Sequence, residues 1–477
     1  MTRSFLLQPV DAWFFRDGRP YNQSESNQTG VVSLFPPHAP TVLGALRAAL
    51  ARANGWGGDG SWTRVPGLES ILGNGPSALG ALRFRGPYLA RRASDGTHEL
   101  LWPLPAHVLG VHAADTWRPE TLLTPSANTV PSDIGDVHVP VPAHGRAAAS
   151  KLTGTAPTWV TSKGLSAIVE GRIPEVDQIV PASALWRHEL RVGIRREQDT
   201  RTTGPNAMYS PLMIRLRRDV ALAAELGGIP ASWNPPSEYI PLGGEARLAS
   251  CTSRAISLEV SRPPIEHIRR TRRLIVVHLA PARFARLPVP GSAMPDMPGT
   301  RVVCACLPSP TWIGGWSSID RGPVALTPHV AAGSVWFCQL DRDAVERVLC
   351  LHDTYVGEHR AHGFGHIVLG AWPEPHENIQ SRKLCPQCQC QAPISAAAPV
   401  RCELVLLEAK CKKATPSPAV LRPQPFFVPS RSSSPAVSPA VPLEGPGGDR
   451  PAQGDANVVA VHGDGPVRVR DQLAAQT

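Results

Sequence analysis

Lysine is nearly missing from most of this chain. Of the six lysines, only Lys151 and Lys163 precede residue 380, so arginine supplies almost all of the positive charge behind the formal net charge of +9. The planar guanidinium of arginine suits bidentate contacts with phosphate and stacking on bases, so this composition fits a nucleic-acid partner. GC-rich coding also favours Arg, Ala, Gly and Pro, and composition alone leaves both explanations open.

The sequence also lacks a long apolar run. The apolar start Phe5–Leu7 is interrupted by Gln8, Pro9 and Asp11, and no later run approaches the roughly 20 residues that a membrane span needs. We therefore expect a soluble, cytoplasmic protein without membrane contact. Five cysteines lie in apolar surroundings, which suits reduced core cysteines in the cytosol; they are Cys251, Cys304, Cys306, Cys338 and Cys350.

Composition changes sharply near residue 375. Four of the six lysines and five of the ten cysteines fall between residues 383 and 413, and a Pro/Ser/Ala-rich stretch follows to about residue 455. Such a segment buries too little apolar surface to offset its chain entropy, so we expect residues 376–477 to be a disordered tail. A zinc knuckle at Cys385 and Cys388 is the alternative, but the pair Cys402 and Cys411 is nine residues apart and is not a CxxC. A frameshifted or readthrough extension would also explain the change.

Periodicity predicts several regular elements before the tail. Strands are expected near 5–10, 274–279 and 302–307, and a helix near 41–53, with Thr41 as its N-cap after Pro36, Pro37 and Pro40. Val42, Leu43, Leu46 and Leu50 form the apolar face of that helix. Gly44 lowers helix stability, which suggests the close approach of another backbone.

A glycine-rich loop near the end of the ordered part carries the strongest local signal. It runs from Gly357 to His366, between a predicted strand and helix (334–340 and 341–351) and the apolar run Ile367–Gly370. Its three glycines would let backbone N–H groups approach an anion, and Arg360 would add a fixed positive charge. An ordinary turn is the alternative, since a GxG beside basic residues is a common sequence.

Five sequence pieces occur in an order that resembles a known family. They are Trp13–Pro20 (WFFRDGRP), Pro36-Pro37 leading into Leu43–Arg47 (LGALR), Glu189–Ile194 (ELRVGI), Gly243–Arg247 (GGEAR) and the glycine loop that ends in Gly363–Gly365 (GFG). This order resembles the RAMP proteins of CRISPR systems, and most closely the third subunit of the Cmr effector complex of type III-B. The similarity spans about residues 5 to 372, with long unmatched insertions.

The resemblance implies an α+β protein made of two ferredoxin-like (RRM-like, βαββαβ) folds with long insertions. Residues 1–185 would be the first, with Pro/Gly-rich insertions, and 186–375 the second, ending in the glycine loop. It also implies a subunit without catalytic activity, cofactor or metal. That subunit would hold the single-stranded 5′ handle of the CRISPR RNA beside the large polymerase-like subunit and a backbone RAMP subunit.

Candidate RNA-binding residues follow from matching the motifs position by position. They are Arg16, Arg19, Arg47, Arg191, Arg195, Arg201, Gly357, Arg360, Gly363, Phe364 and Gly365. His359, His362 and His366 depart from the pattern, because arginine or lysine would be expected there and neutral imidazole attracts phosphate weakly near pH 7.

Two other functions fit part of this sequence. Some RAMP proteins are endoribonucleases that process CRISPR precursor RNA, and histidines beside an arginine would suit 2′-hydroxyl activation. The sequence nevertheless shows neither a carboxylate cluster nor an early catalytic histidine. A general single-strand binder would explain the arginines but not the order of the motifs.

Overall fold

The computed structural model describes residues 1–16, 30–75, 78–113, 116–143, 158–194, 196, 199–203, 208–258, 260–317 and 322–374. These residues belong to one compact unit. The predicted tail, with its cysteines and possible zinc knuckle, lies outside the described residues.

The described helices are α1 (Ala39–Ala53), α2 (Leu68–Leu72), α3 (Ser162–Val169), α4 (Ile265–Thr271) and α5 (Val345–Leu349). The strands are β1 (Arg3–Pro9), β2 (Gly30–Val32), β3 (Arg83–Arg92), β4 (His98–Pro103), β5 (Val108–Ala113), β6 (Thr116–Pro125), β7 (Val130–Ser132), β8 (Gly135–Val137), β9 (Pro140–Pro142), β10 (Thr158–Thr161), β11 (Ile179–Pro181), β12 (Trp186–Leu190), β13 (Gly193–Ile194), β14 (Met208–Leu216), β15 (Val220–Gly227), β16 (Tyr239–Pro241), β17 (Leu248–Ser253), β18 (Arg273–His278), β19 (Thr300–Cys306), β20 (Thr311–Ser317), β21 (Gly322–His329), β22 (Val335–Leu340), β23 (Thr354–Tyr355) and β24 (His366–Gly370). The expected mixed α and β protein is confirmed, with mostly antiparallel sheets and few helices.

An eight-stranded sheet has the order β11-β10-β4-β3-β15-β1-β17-β16. Its interior strand β1 confirms the first predicted strand and is buried on both faces: Phe5 and Leu7 belong to one core cluster, and Leu6 belongs to another. This explains why its sequence is continuously apolar rather than alternating. Five strands of this sheet come before the predicted domain boundary at residues 185 and 186, and three strands, β15, β16 and β17, come after it. The sheet therefore extends across the predicted boundary.

Helix α1 packs its apolar face into the first core cluster, as predicted. Val42, Leu43, Leu46 and Leu50 are all buried. The helix begins at Ala39, before the predicted N-cap Thr41, and so includes Pro40 in its first turn. Proline is tolerated at this position because the N–H group that it lacks would have no partner in the first turn of a helix. The expectation for Gly44 is wrong: a Cβ at this position would meet no atom within 4 Å.

A five-stranded sheet has the order β19-β22-β18-β24-β23, and its strands confirm the three predicted strands of this region. The predicted helix after β22 is shorter than expected, with a 3₁₀ turn at Arg342–Ala344 before α5. One core cluster joins both large sheets, since it contains Tyr88 of β3 together with Ile275 of β18 and Ile168 of α3. Four of the five cysteines are buried as expected, whereas Cys350 is exposed.

Candidate nucleic-acid interface

The glycine loop, residues 357–365, lies directly against strand β3 of the first sheet. Gly363 has a φ of +89°, and a Cβ there would come within 2.9 Å of the Phe84 ring and 3.0 Å of the Gly86 carbonyl oxygen. A side chain at this position would clash, so the glycine permits the close contact between loop and strand. The loop therefore helps to connect the second sheet to the first.

The backbone N–H groups of the three glycines donate to acceptors within the protein. Gly357 donates to Oδ2 of Asp296 at 2.7 Å, Gly363 to the carbonyl oxygen of Arg360 at 3.0 Å, and Gly365 to that of Pro281 at 2.8 Å. In this conformation the three glycine N–H groups do not form a phosphate cradle. The charge that it offers to an anion is carried by side chains.

On one side of the loop, a cavity of about 860 Å³ collects basic side chains, and we call it the basic pocket. Arg360 is 55% exposed, and one of its nitrogens lies 3.8 Å from Oδ2 of Asp296. Arg83, also exposed, donates to the carbonyl oxygen of Leu82 at 2.7 Å. The pocket is lined by Thr2, Leu79, Gly80, Arg83, Phe84, Arg85, Glu225, Gly227, Tyr355, His359, Arg360, Ala361 and His362.

A buried hydrogen-bond network lies behind the basic pocket. Arg85 donates to Oδ1 of Asp353 at 2.6 Å, and Nε2 of His366 lies 2.7 Å from the same oxygen. Burial alone would raise the pKa of Asp353, but the hydrogen bond from His366 and the charge of Arg85 outweigh it and lower that pKa. The carboxylate is therefore ionised, Nε2 of His366 donates to it, and Nδ1 accepts from the Tyr88 hydroxyl at 2.6 Å.

On the other side of the loop lies an open cavity of about 1370 Å³, which we call the apolar groove. Its walls carry many prolines and aliphatic side chains from both large sheets, and His38, Tyr88 and Cys306 are its titratable side chains. Gly363 lines this groove, whereas the preceding residue, His362, lines the basic pocket. The glycine loop therefore separates a charged cavity from an uncharged one.

Arg47, a predicted RNA contact, is a buried structural residue. Its guanidinium donates to the carbonyl oxygens of Leu72, Gly75 and Ala78, the last two at 3.1 and 3.0 Å, and lies 5.1 Å from the Trp62 ring centre. Burial lowers its pKa to about 10. Arg47 is only 5% exposed, so the structure gives it a packing role and lends the predicted RNA contact no support.

Arg191 belongs to a cluster of ion pairs. It lies 2.5 Å from Asp11 and 2.8 Å from Glu189, and Arg215 also contacts both carboxylates. Hydrogen bonds from Arg215 and Arg191 lower the pKa of Glu189 to about 2. Arg247 lies 3.5 Å from Asp11. Through Asp11, which lies just before the WFFRDGRP motif, the cluster connects that end of the chain to the ELRVGI and GGEAR motifs. The charge of Arg191 is thus largely neutralised within the protein.

The other predicted residues are scattered. Arg16 and Arg201 are exposed, whereas Arg19 and Arg195 lie outside the described residues. Phe364 is 5% exposed, and its ring centre lies 4.9 Å from that of His329, so it is a core residue. The structure does not bring the described members of this set together at one place.

Sequence reasoning missed the residues of β3 that face the loop. Arg83 and Arg85 flank the buried Phe84, and this alternation is the period-2 pattern of a half-buried strand. That signal was present in a region interpreted as insertions. Asp353 and Tyr88 carried no comparable signal, because their roles depend on contacts between distant parts of the chain.

The sequence matches the profile of a family described as CRISPR-associated protein (Cas_Cmr3) over residues 5–372. The chain belongs to this Cmr3 family. The match confirms the resemblance drawn from the motifs and includes every residue that lines the two cavities except Thr2. No curated protein matches the sequence.

The Cmr3-family chain is also similar to solved structures, at low identity. Two are chains of type III-B Cmr-beta bound to cognate target RNA, and one of these structures also contains AMPPnP. Both chains are 14% identical to this chain, and each match covers 70% of this chain and 86% of the other. The TM-score is 0.37 for the structure with AMPPnP and 0.40 for the other. A chain of a Csm3–Csm4 subcomplex from a type III-A CRISPR-Cas interference complex is 10% identical, with 71% and 93% covered and a TM-score of 0.28.

Neither a metal-ligand cluster nor a membrane-spanning helix occurs among the described residues. No group of three or more His, Cys, Asp or Glu side chains among them is arranged to hold a metal ion. Their helices include none that is both long enough and apolar enough to cross a membrane.

Proposed function

We propose that this protein is the non-catalytic RNA-binding subunit of a type III-B CRISPR interference complex. It holds the 5′ handle of the CRISPR RNA and docks to the large polymerase-like subunit and a backbone RAMP subunit. Membership of the Cmr3 family over residues 5–372 supports this assignment. The observation that carries the RNA-binding part is the basic pocket, where exposed Arg83 and Arg360 lie on two different elements around one cavity.

We also infer that the two large sheets are two ferredoxin-like folds, each with one helix missing. In the first, β3-β15-β1-β17 is the antiparallel order 2-3-1-4, with α1 between the first two strands. In the second, β19-β22-β18-β24 repeats that order, with α5 between the last two strands. The connections 228–247 and 279–299, described throughout, hold no helix where the fold would place the other one.

The two cavities suit different parts of a single RNA strand. Guanidiniums attract phosphate oxygens, whereas an apolar surface accepts bases once they are unstacked. Arg83 and Arg360 lie on the side of the loop that offers charge, and the prolines of the groove lie on the side that offers none. Because this binding relies on phosphate contacts, it should weaken as the salt concentration rises.

The test uses Arg83→Gln with Arg360→Gln in the full chain. RNA carrying a CRISPR 5′ handle should bind at least tenfold more weakly, and the slope of log affinity against log salt should fall by about one unit for each lost phosphate contact. Arg347→Gln is the matched control, since Arg347 is exposed on α5 and lines neither cavity. An unchanged slope with intact circular dichroism would remove the basic pocket from the RNA path.

The second candidate, a RAMP-type endoribonuclease, is favoured by one observation. The ring centres of His359 and His362 lie 5.6 Å apart, and both residues line the basic pocket with Arg360. A histidine pair beside a guanidinium has the parts for 2′-hydroxyl activation and charge stabilisation. Discrete products from labelled repeat RNA that disappear in His359→Ala, with RNA binding retained, would replace the binding subunit by this nuclease.

A further inference from the structure

Strands β20 and β21 form a two-stranded hairpin inserted between β19 and β22 of the five-stranded sheet. Ile313 is 4% exposed and anchors one face of the hairpin in the protein. A register shift between Ile313 and Gly315 marks a bulge, and Thr311, at the base, lines the apolar groove. The hairpin therefore continues one wall of the groove outward from the sheet.

The opposite face of the hairpin exposes two tryptophans. Trp312 is 59% exposed and Trp316 is 66% exposed, the highest value among the exposed large hydrophobic side chains of the described chain. Alternation along a strand places Trp312 and Trp316 on one face, and across the hairpin they pair with the exposed Pro328 and Pro323. We call these four residues the tryptophan face.

This surface has no partner within the described part of the chain. Neither indole takes part there in a hydrogen bond, ring contact or cation–π contact. At these exposures the two side chains leave on the order of 300 Å² of aromatic surface in water. The largest apolar patch on a typical soluble monomer is of about this size and is often functional.

Charge decides which kind of partner fits. The two strands of the hairpin, residues 311–317 and 322–329, contain no Asp, Glu, Lys or Arg, and the four residues between them in the sequence add one acid and one base, Asp320 and Arg321, which together carry no net charge. Its His329 is buried, and burial lowers the pKa of that ring, so the imidazole supplies little positive charge at neutral pH. A surface that follows RNA needs cations for the phosphates, whereas the centres of protein interfaces are depleted of charge and enriched in tryptophan.

We propose that the tryptophan face is a protein-docking surface, which packs against an apolar, uncharged patch on a neighbouring subunit of the effector complex. The inference rests on the proposed function, because it takes its partner from that complex. It goes beyond that function by separating the protein contact from the RNA contact: the basic pocket holds RNA, and the tryptophan face holds a subunit.

The experiment uses the full chain with Trp312→Ala and Trp316→Ala together. Its affinity is measured for the purified large polymerase-like subunit and, separately, for the purified backbone RAMP subunit, alongside its affinity for 5′-handle RNA. We expect binding to one of the two subunits to weaken at least tenfold while RNA affinity stays within twofold. Tyr239→Ala is the matched control, because Tyr239 is 53% exposed on β16 and lies outside both cavities. The conservative pair Trp312→Phe and Trp316→Phe should restore most of the lost binding.

Several outcomes would overturn the proposal. Unchanged affinity for both subunits would do so, as would a selective loss of RNA affinity, which would make the face a base-stacking platform. A wild-type dimer that the double variant abolishes would assign the face to a second copy. A chain stopped at Gln380 that newly exposes the tryptophans to a fluorescence quencher would assign it to the tail. If the wild-type protein binds neither subunit, the proposed function fails as well.

Discussion

The Tyr88 hydroxyl donates a hydrogen bond to Nδ1 of His366 over 2.6 Å, so two buried side chains connect a strand of the first sheet to a strand of the second. Through Nε2 the same imidazole reaches Asp353, which also accepts from Arg85 of the first sheet. The contact between the two sheets therefore depends on specific polar geometry as well as on apolar packing.

Tyr88→Phe should lower the free energy of unfolding by about 1–3 kcal/mol, because it leaves Nδ1 of a fully buried imidazole without a donor. Urea denaturation followed by tryptophan fluorescence measures this. Tyr239→Phe removes a hydroxyl from an exposed ring and should change stability by less than about 0.5 kcal/mol. Equal effects of the two variants would show that the Tyr88 hydrogen bond adds no net stability.

Stability should fall as the pH drops below the ordinary histidine range. Burial lowers the pKa of His107 and of His278 to about 3, from 6.5. Their neutral forms favour folding, so the full stability is present above pH 6.5 and decreases as the pH falls towards the folded-state value. Between about pH 7 and pH 5, each such histidine should reduce the free energy of unfolding by about 2 kcal/mol.

His107→Leu separates this effect from general acid denaturation. Neither ring nitrogen of His107 has a hydrogen-bond partner among the described residues, so leucine removes a buried polar group without breaking a described contact of that kind. The variant should be at least as stable as the wild type at about pH 7 and should lose less stability on acidification. Identical pH profiles for the two proteins would mean that His107 does not contribute.

Two glycines should respond to alanine in opposite directions. Gly365 has a φ of +78°, and a Cβ there would lie 1.9 Å from the Val356 carbonyl oxygen, so Gly365→Ala should cost at least about 1–3 kcal/mol. Gly44 lies inside α1 with open space around it, so Gly44→Ala should stabilise by about 0.5–1 kcal/mol. Thermal unfolding of both variants checks this, and a tolerated Gly365→Ala would show that the loop can shift.

Local signals in the sequence were sufficient for the elements with a strong period. The apolar spacing of Val42, Leu43, Leu46 and Leu50 identifies α1. The apolar run after the glycine loop is strand β24, but the element directly before the loop is the short strand β23 rather than the predicted helix. The order of short motifs identified the family, because it draws on the whole chain.

The candidate site was less predictable, because burial and pairing depend on distant residues. Nothing in the sequence around Arg47 shows that it is buried, because its partners, the carbonyl oxygens of Leu72 and Ala78, lie far along the chain. The glycines suggested an anion site, but only three-dimensional contacts show that Asp296 and Pro281 already occupy two of their N–H groups. The pairing of β3 with β15 places Arg83 beside the loop, and no local pattern shows that pairing.

The wall between the basic pocket and the apolar groove is thin. His362 lines one cavity and Gly363 the other, so at this point the barrier is a single peptide unit, pressed against β3. A ligand that pushes on one side of this peptide changes the shape of the space on the other. Two ligands that each displace this peptide would alter each other's affinity without touching, and by the same factor in both directions.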